Sequence, residues 1–345
     1  MTFEHAPAPR FPWVSIILLN YNGYQDTIEC LESLFKLEYP SFSIVVVDNN
    51  SPDQSLDHIN AWLQKNSLET DSLQSKIKAA GAFWQQVPYA PGQSWPSSET
   101  KKALVTTVQA GQNLGFAGGN NVGLRLAQSL FAPDFVWFLN NDTVVESDSL
   151  TQLVQQAQQD QKQGLPIGIW GSKLLYYHQR DTIQAIGGKL NLTTLTTTHL
   201  AEGQKDSLTY QEPHPSLDYV VGASLFVSRA FIEAVGPLSE DYFLYFEELD
   251  WAKRGQKAGF SLGFVPASKV YHKEGRSIGS HSAGKKKSDL ADYHGMRSKI
   301  IFFRKFYPER AWQLNTLVLA SAVLRVSRFQ FKRAWRVLQL LGGAK

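Results

Sequence analysis

The 345-residue chain has one cysteine, Cys30, so it contains no intramolecular disulfide framework and fits a reducing compartment. The longest chargeless stretch near its end, AWQLNTLVLASAVL at 311–324, falls short of the ~20 apolar residues that cross a bilayer. Its first residues, MTFEHAPAPRFPW, carry acid and proline where a secretory leader would carry a basic and then an apolar segment. The expectation is a cytoplasmic chain. Acidic charge is almost missing from residues 297–345, which hold eleven Lys or Arg against Glu309 alone. That segment is +10 and the remainder is −7, so a net charge of +3 hides a basic end suited to an anionic partner.

With 43% hydrophobic and 19% charged residues, the chain has the composition of a globular protein with a substantial core. VSIILLNYNG (14–23) and SIVVVDNNSP (43–52) read as buried strands that stop in polar turns, with a helix over 24–37 between them. This order predicts a right-handed parallel unit. Residues 66–102 lose periodicity and contain Pro88, Pro91, Gly92 and Pro96, which predicts an insertion or mobile loop. A strand at 103–109, the loop QNLGFAGGNN, a helix at 120–131 and a strand at 135–139 follow. Less regular strands near 167–176, 183–198 and 219–228 suggest antiparallel pairs. The expected class is α/β, with a mainly parallel sheet flanked by helices and a small antiparallel portion.

Three of these strands end in polar clusters: Asn20, Tyr21 and Asn22; Asp48, Asn49 and Asn50; and Asn140, Asn141 and Asp142. Each alone reads equally well as a turn. Together, at the carboxyl ends of parallel strands, they mark the crevice where such sheets bind ligands. The glycines of NLGFAGGNN (113–121) would let backbone N–H groups approach a ligand, and the helix that follows would favour an anion. The loop is neither the dinucleotide fingerprint nor a P-loop.

The pieces VSIILLNYNG, IVVVDNNSPD, NLGFAGGNN, FLNNDT, VVGASLFVSR, FLYFEELDWAKRGQKAGF and VYHKEGRS, in this order over about residues 14–280, resemble family 2 glycosyltransferases, which have the GT-A fold. Within that family the likeness is to rhamnosyltransferases of cell-surface polysaccharide assembly. The resemblance implies that Asp48 contacts the nucleobase or ribose of a dTDP or UDP sugar. The turn Asn20, Tyr21, Asn22, the loop residues Asn113, Gly118 and Asn121, and Asn141 would stand alongside.

It also implies that Asp142 sits where the family keeps its metal-binding acidic motif, with a divalent cation, Mn2+ or Mg2+, on the donor diphosphate. The usual Asp-x-Asp is here Asn140-Asn141-Asp142. Asn140 can ligate through its carbonyl but brings no charge, and His272 stands where some members supply a further ligand. An imidazole ligand would favour manganese; a purely structural histidine is the alternative.

Inverting transfer needs a base for the acceptor hydroxyl. Glu248 takes the place of the family's catalytic Asp and Glu247 matches the Glu before it, while an acidic helix start is the plainer reading. Trp251, Tyr242, Phe243 and Tyr245 could form a sugar-binding wall or simply core. Lys273, Arg276 and His281 could close over a diphosphate on a mobile loop, whereas GKKK at 284–287 reads as a solvated loop rather than a site.

In the basic end, Arg325, Arg328, Lys332 and Arg336 share one helical face, opposite Val323, Val326, Phe331, Ala334, Val337, Leu338 and Leu341. This predicts an amphipathic helix at an anionic membrane surface, on the inner face, where a lipid-linked saccharide acceptor would be met. Packing on the domain or on a second copy in a homodimer is the alternative. Base-stacking motifs are absent, so no nucleic-acid partner is expected. The predicted organisation is a glycosyltransferase domain over 1–296 and a basic helical segment over 297–345. A sugar nucleotidyltransferase would need a basic N-terminal loop that NYNGYQD lacks. A sugar-nucleotide-binding scaffold without catalysis has only Asn140 and Glu248 in its favour.

Overall fold

The apolar runs at 14–20 and 42–48 form strands β1 (Val14–Asn20) and β2 (Phe42–Asp48), paired in parallel. Both faces of these strands are covered: Ile16, Leu18, Ile44 and Val46 enter one core cluster, while Ile17, Val45 and Val47 face clusters on the other side. Burial on both faces explains why the runs are continuous rather than alternating. The computed structural model describes residues 11–66, 76, 81–90, 102–212, 216–273 and 288–343.

Along the chain follow α1 (Tyr24–Phe35), α2 (Ser55–Asn66), β3 (Trp84–Val87), β4 (Val105–Gln109), α3 (Gly115–Phe131), β5 (Phe135–Asn140), β6 (Thr143–Val145) and α4 (Ser149–Lys162). The second half holds β7 (Ile167–Tyr176), β8 (Gln179–Ala185), β9 (Gly188–Asn191), β10 (Thr196–His199), β11 (Ser224–Ser228), α5 (Arg229–Val235), α6 (Glu247–Lys257) and β12 (Ser261–His272). It ends in α7 (Asp289–Phe306), α8 (Ala311–Ser327) and α9 (Phe331–Gly343).

The main sheet runs β3-β4-β2-β1-β5-β11-β7-β12-β6, with β8 beside β7. From β3 to β5 every pairing is parallel, and β12 is parallel to β7. β11 is antiparallel to both its neighbours, β8 to β7 and β6 to β12, and β9 and β10 form a separate antiparallel pair. The chain builds outward from β1 through β2 to β4, then returns to place β5 on the other side of β1. The crevice lies at that reversal.

Three expectations change. The stretch 66–102 contains β3, a sheet edge strand paired with β4; its four residues are half polar and too short to show a period. Helix α3 starts at Gly115, about five residues before the sequence suggests. Its glycines mark helix–sheet contact: a Cβ on Gly119 would lie 2.4 Å from Leu19 Cδ1, and one on Gly123 2.6 Å from Ile17 Cγ2.

The basic end is not one helix. It breaks at Arg328–Gln330, where Phe329 has φ +55°, into α8 and α9, which pack together. The boundary expected at 297 falls inside α7. Ile300, Phe302 and Phe303 of that helix pack with Phe246 and Leu249 of the α6 region and with Leu314, Val318, Val337 and Leu340. Ala334 and Val337, placed on the expected membrane side, face the protein. Cys30 is buried, which pushes its thiol up to about 12 and leaves it inert.

Candidate active site

Register brings the three polar strand ends together: Asn20 lies opposite Asp48, and Asn140 opposite Leu19. Asp48 is fully buried and accepts four hydrogen bonds, from Asn20 Nδ2 (2.7 Å), Ser51 Oγ (2.6 Å), Ser51 N (3.0 Å) and Gln109 Nε2 (3.0 Å). Four donors are what a buried carboxylate needs in place of water. Asp48 therefore organises the turn, and direct contact with a nucleobase would have to displace a donor. Asn20 Oδ1 in turn accepts from Thr27 Oγ1 and Asn141 Nδ2, so Asn141 faces the start of α1. Tyr21 and Asn22 form the turn itself, with Asn22 at φ +54° and its N–H donating to Ser51 Oγ.

Asn49 fastens the next loop. Its Nδ2 donates to Asn113 Oδ1 and to the Gly115 carbonyl, and its Oδ1 accepts from Leu114 N. Gly115 has φ +69°, and a Cβ there would come 2.2 Å from the Phe243 carbonyl oxygen, so only glycine fits. Phe116 N donates to that same carbonyl at 2.8 Å, which ties the Asn113 loop to the segment leading into α6. Gly118 and Asn121 lie within α3. A Cβ on Gly118 would meet Leu114 Cβ at 2.8 Å, so this glycine leaves room for the Leu114 side chain at the start of its own helix. Asn121 is fully buried; it donates to Leu238 O and Glu240 and accepts from Leu238 N, leaving no side-chain surface for a ligand.

At the end of β5, Asp142 Oδ1 lies 3.2 Å from His272 Nε2, and Asn140 Nδ2 is 3.4 Å from the same nitrogen. His272 Nδ1 is 2.9 Å from Gln184 Oε1. A carbonyl oxygen only accepts, so Nδ1 carries a proton, and Nε2 faces Asp142 with either a second proton or a lone pair. Two electron-rich atoms at that distance are stable together when a cation or proton lies between them. Asp142 Oδ1 and His272 Nε2 are two atoms that fit a divalent ion, whereas the Asn140 atom beside them is the amide nitrogen, a donor, and Asn140 would ligate only with its carbonyl oxygen turned inward. Among the described residues no group of three His, Cys, Asp or Glu forms a fuller site.

Lys273, expected near a diphosphate, is bound instead to Asp26 (2.5 Å) and Glu29 on α1, and its backbone N–H donates to Asp142 O at 3.0 Å. It pins the Asp142–His272 corner to α1. Arg276, His281 and residues 284–287 lie outside the described residues.

The second acidic centre opens α6. Tyr245 (φ +68°) and Phe246 (φ +71°) both adopt the left-handed region, a strained arrangement for aromatic residues. It is held by Phe246 packing on Phe302 and Phe303 and by buried Asp250, which binds Tyr242 OH, Arg254 and Lys305. Glu247 is 5% exposed, and neither its Oε2 nor that of Glu248 has a hydrogen-bond partner. Burial raises Glu248 to about 7, and burial together with the neighbouring Glu248 charge lifts Glu247 well above the usual carboxylate range. The favourable helix N-terminus does not offset desolvation here. Tyr242 and Trp251 are fully buried core residues; Phe243 and Tyr245 are half-buried.

Sequence reasoning missed Ser51, Thr27, Gln109 and Gln184. Ser51 lies within a quoted motif, but nothing local marks Gln109 or Gln184, which reach the site from neighbouring strands.

Among curated proteins the chain is 26% identical over 263 residues to an N-acetylglucosaminyl-diphospho-decaprenol L-rhamnosyltransferase of Mycobacterium tuberculosis, covering 69% of this chain and 81% of that one. It is 21% identical over 167 residues to the low-salt glycan biosynthesis hexosyltransferase Agl10 of Haloferax volcanii, covering 48% of this chain and about half, 51%, of the relative. Two solved structures share the fold at 15% identity. One is the mannosyltransferase PcManGT of Pyrobaculum calidifontis in complex with GDP-Man and Mn2+, with TM-score 0.50, covering 100% of this chain and 79% of that chain. The other is S. aureus TarS 1-349 in complex with UDP-GlcNAc, with TM-score 0.51, covering 95% and 81%. The model of the family described as glycosyltransferase like family 2 matches residues 9–287, and with the GT-A sheet and strand-end crevice in place the chain belongs to that family and is a glycosyltransferase.

Proposed function

We propose that the chain is an inverting, metal-dependent glycosyltransferase that moves a sugar from a nucleoside diphosphate donor to a lipid-linked saccharide, peripherally at the inner face of a membrane. Rhamnose from dTDP-rhamnose is the specific donor put forward, with UDP sugars next. The observation that carries this reading is the half-buried Glu248 at the strained start of α6, whose carboxyl is raised to about 7 and has one buried oxygen without a partner. A group of that pKa is matched to taking a hydroxyl proton near neutrality.

In the proposed reaction Glu248 accepts the acceptor's hydroxyl proton as that oxygen attacks the anomeric carbon. Burial and the neighbouring Glu248 charge both lift Glu247 well above the usual carboxylate range, which favours its protonated form and leaves Glu248 as the proposed base of the pair. The Asp48 network and the Asn49–Asn113 clamp hold the donor crevice in shape. Asp142 and His272 Nε2, joined by the Asn140 carbonyl oxygen if that amide turns, would hold a divalent cation, which would supply charge neutralisation to the departing diphosphate. The name of one relative, an N-acetylglucosaminyl-diphospho-decaprenol L-rhamnosyltransferase, supports a lipid-linked saccharide acceptor, and a neighbour's title supports manganese.

A screen of nucleotide sugars for binding, followed by transfer to a polyprenyl-diphosphate-linked acceptor with and without manganese, tests the proposal. Transfer that needs metal is the expected result; binding without any transfer would overturn it.

A further inference from the structure

We infer that α8, α9 and the turn between them form a docking face for an anionic bilayer, lying on the membrane rather than crossing it. Eight of the twelve large apolar side chains exposed among the described residues lie between 312 and 335. They include Trp312, Leu319 and Val323 on α8, Phe329 in the turn, and Phe331 and Trp335 on α9. The opposite sides of both helices are already satisfied: Leu314, Val318, Ala322, Ala334, Val337 and Leu340 are buried in the protein. An apolar surface of this extent, with two exposed tryptophans, is expected where a protein meets something other than water.

Charge selects the occupant. Residues 311–343 contain five Arg or Lys and no acid. Arg325 is held by Asp292 at 2.5 and 3.1 Å, and Arg333 by Asp289 at 2.6 Å, both on α7. These two charges fasten the helices to the protein. Arg328, Lys332 and Arg336 are exposed beside the apolar residues, on the turn and at a four-residue spacing along α9. A two-fold contact between copies would set this all-basic face against itself, whereas an anionic surface neutralises it. Among the described residues no helix is long and apolar enough to cross a membrane, so contact is interfacial. The inner faces of these helices share a core cluster with Phe246 and Leu249, next to Glu248. Docking there would hold the proposed base near a lipid-borne hydroxyl, a purpose that rests on the lipid-linked acceptor reading.

The test is flotation of the full chain with vesicles of phosphatidylglycerol and phosphatidylcholine, against phosphatidylcholine alone. Wild-type protein should float with the anionic vesicles at low salt and be released at high salt. Arg328→Gln/Lys332→Gln/Arg336→Gln and, separately, Trp312→Ser/Phe331→Ser/Trp335→Ser should each reduce the bound fraction at least tenfold. Both triple variants change exposed side chains, so circular dichroism and transfer to a short soluble acceptor should stay at wild-type level. Wild type that ignores anionic vesicles, or variants that float as well as wild type, would overturn the proposal. A dimer that the apolar variant dissociates, without vesicle binding, would assign the face to a second copy. Vesicle binding without any sugar transfer would sink the lipid-linked acceptor reading and leave the docking face standing.

Discussion

His272 Nε2 lies 3.2 Å from Asp142 Oδ1, and the histidine's other nitrogen is fixed by Gln184 Oε1 at 2.9 Å. The proton on Nδ1 is thereby set from β8, and Nε2 is aimed from β12 at the end of β5. Gln184→Leu should weaken manganese binding by about tenfold to a hundredfold, as loss of a group that orients a ligating histidine does. Gln184→Glu, which keeps the acceptor oxygen, should restore most of it. Metal titration by calorimetry reads this without turnover, and unchanged affinity in Gln184→Leu would refute the tautomer argument.

Glu248→Gln should lower the transfer rate by roughly a hundredfold or more while donor binding is kept, and Glu247→Gln should do less. The wild-type rate should rise as pH passes through about 7 and Glu248 loses its proton. Stability should move the other way. The folded carboxyl holds its proton up to about 7 against an ordinary 4.5, so its contribution is complete below 4.5 and is lost as pH rises through 7. Melting curves of wild type and Glu248→Gln across that window should therefore converge at low pH and diverge in favour of the variant at high pH. The opposite ranking of the two rates would give the base role to Glu247.

Asp48→Asn places an amide N–H₂ among four donors that now share a carboxylate. At least one donor loses its acceptor, at a cost of about 1–3 kcal/mol, and the Asn20–Ser51 turn should loosen. Denaturant unfolding and donor titration should both register the change. A variant with wild-type values in both would show that the network is not what shapes the crevice.

Gly123→Ala drives a methyl group to within 2.6 Å of Ile17 Cγ2 and 3.0 Å of Val47 Cγ2. Overpacking of this kind costs about 1–3 kcal/mol. Gly342→Ala, with nothing within 4 Å, serves as the control and should be neutral or slightly stabilising. Equal unfolding midpoints for the two variants would contradict the close helix–sheet contact.

The parallel half of the sheet was legible because β1 and β2 are buried on both faces, which writes a continuous apolar run into the sequence. The three polar strand ends were legible for the same reason: they interrupt those runs. The start of α3 was hidden because glycines needed for contact with Leu19 and Ile17 look like loop residues. Gln109 and Gln184 were invisible, since their roles come from neighbours set by sheet register and not by sequence spacing. The break at Phe329 and the inward turn of Ala334 and Val337 depended on packing against α7, which no single helical face discloses.

The decisive measurement is sugar transfer from dTDP-rhamnose, with UDP sugars in parallel, to a polyprenyl-diphosphate-linked acceptor by wild-type and Asp142→Ala protein, with manganese and with chelator. Asp142 supplies the lone carboxylate of the Asn140-Asn141-Asp142 turn. Wild type should transfer sugar only with metal and the variant not at all, with weakened metal-dependent donor binding. Full transfer by Asp142→Ala, or wild-type turnover untouched by chelation, would contradict metal-dependent transfer.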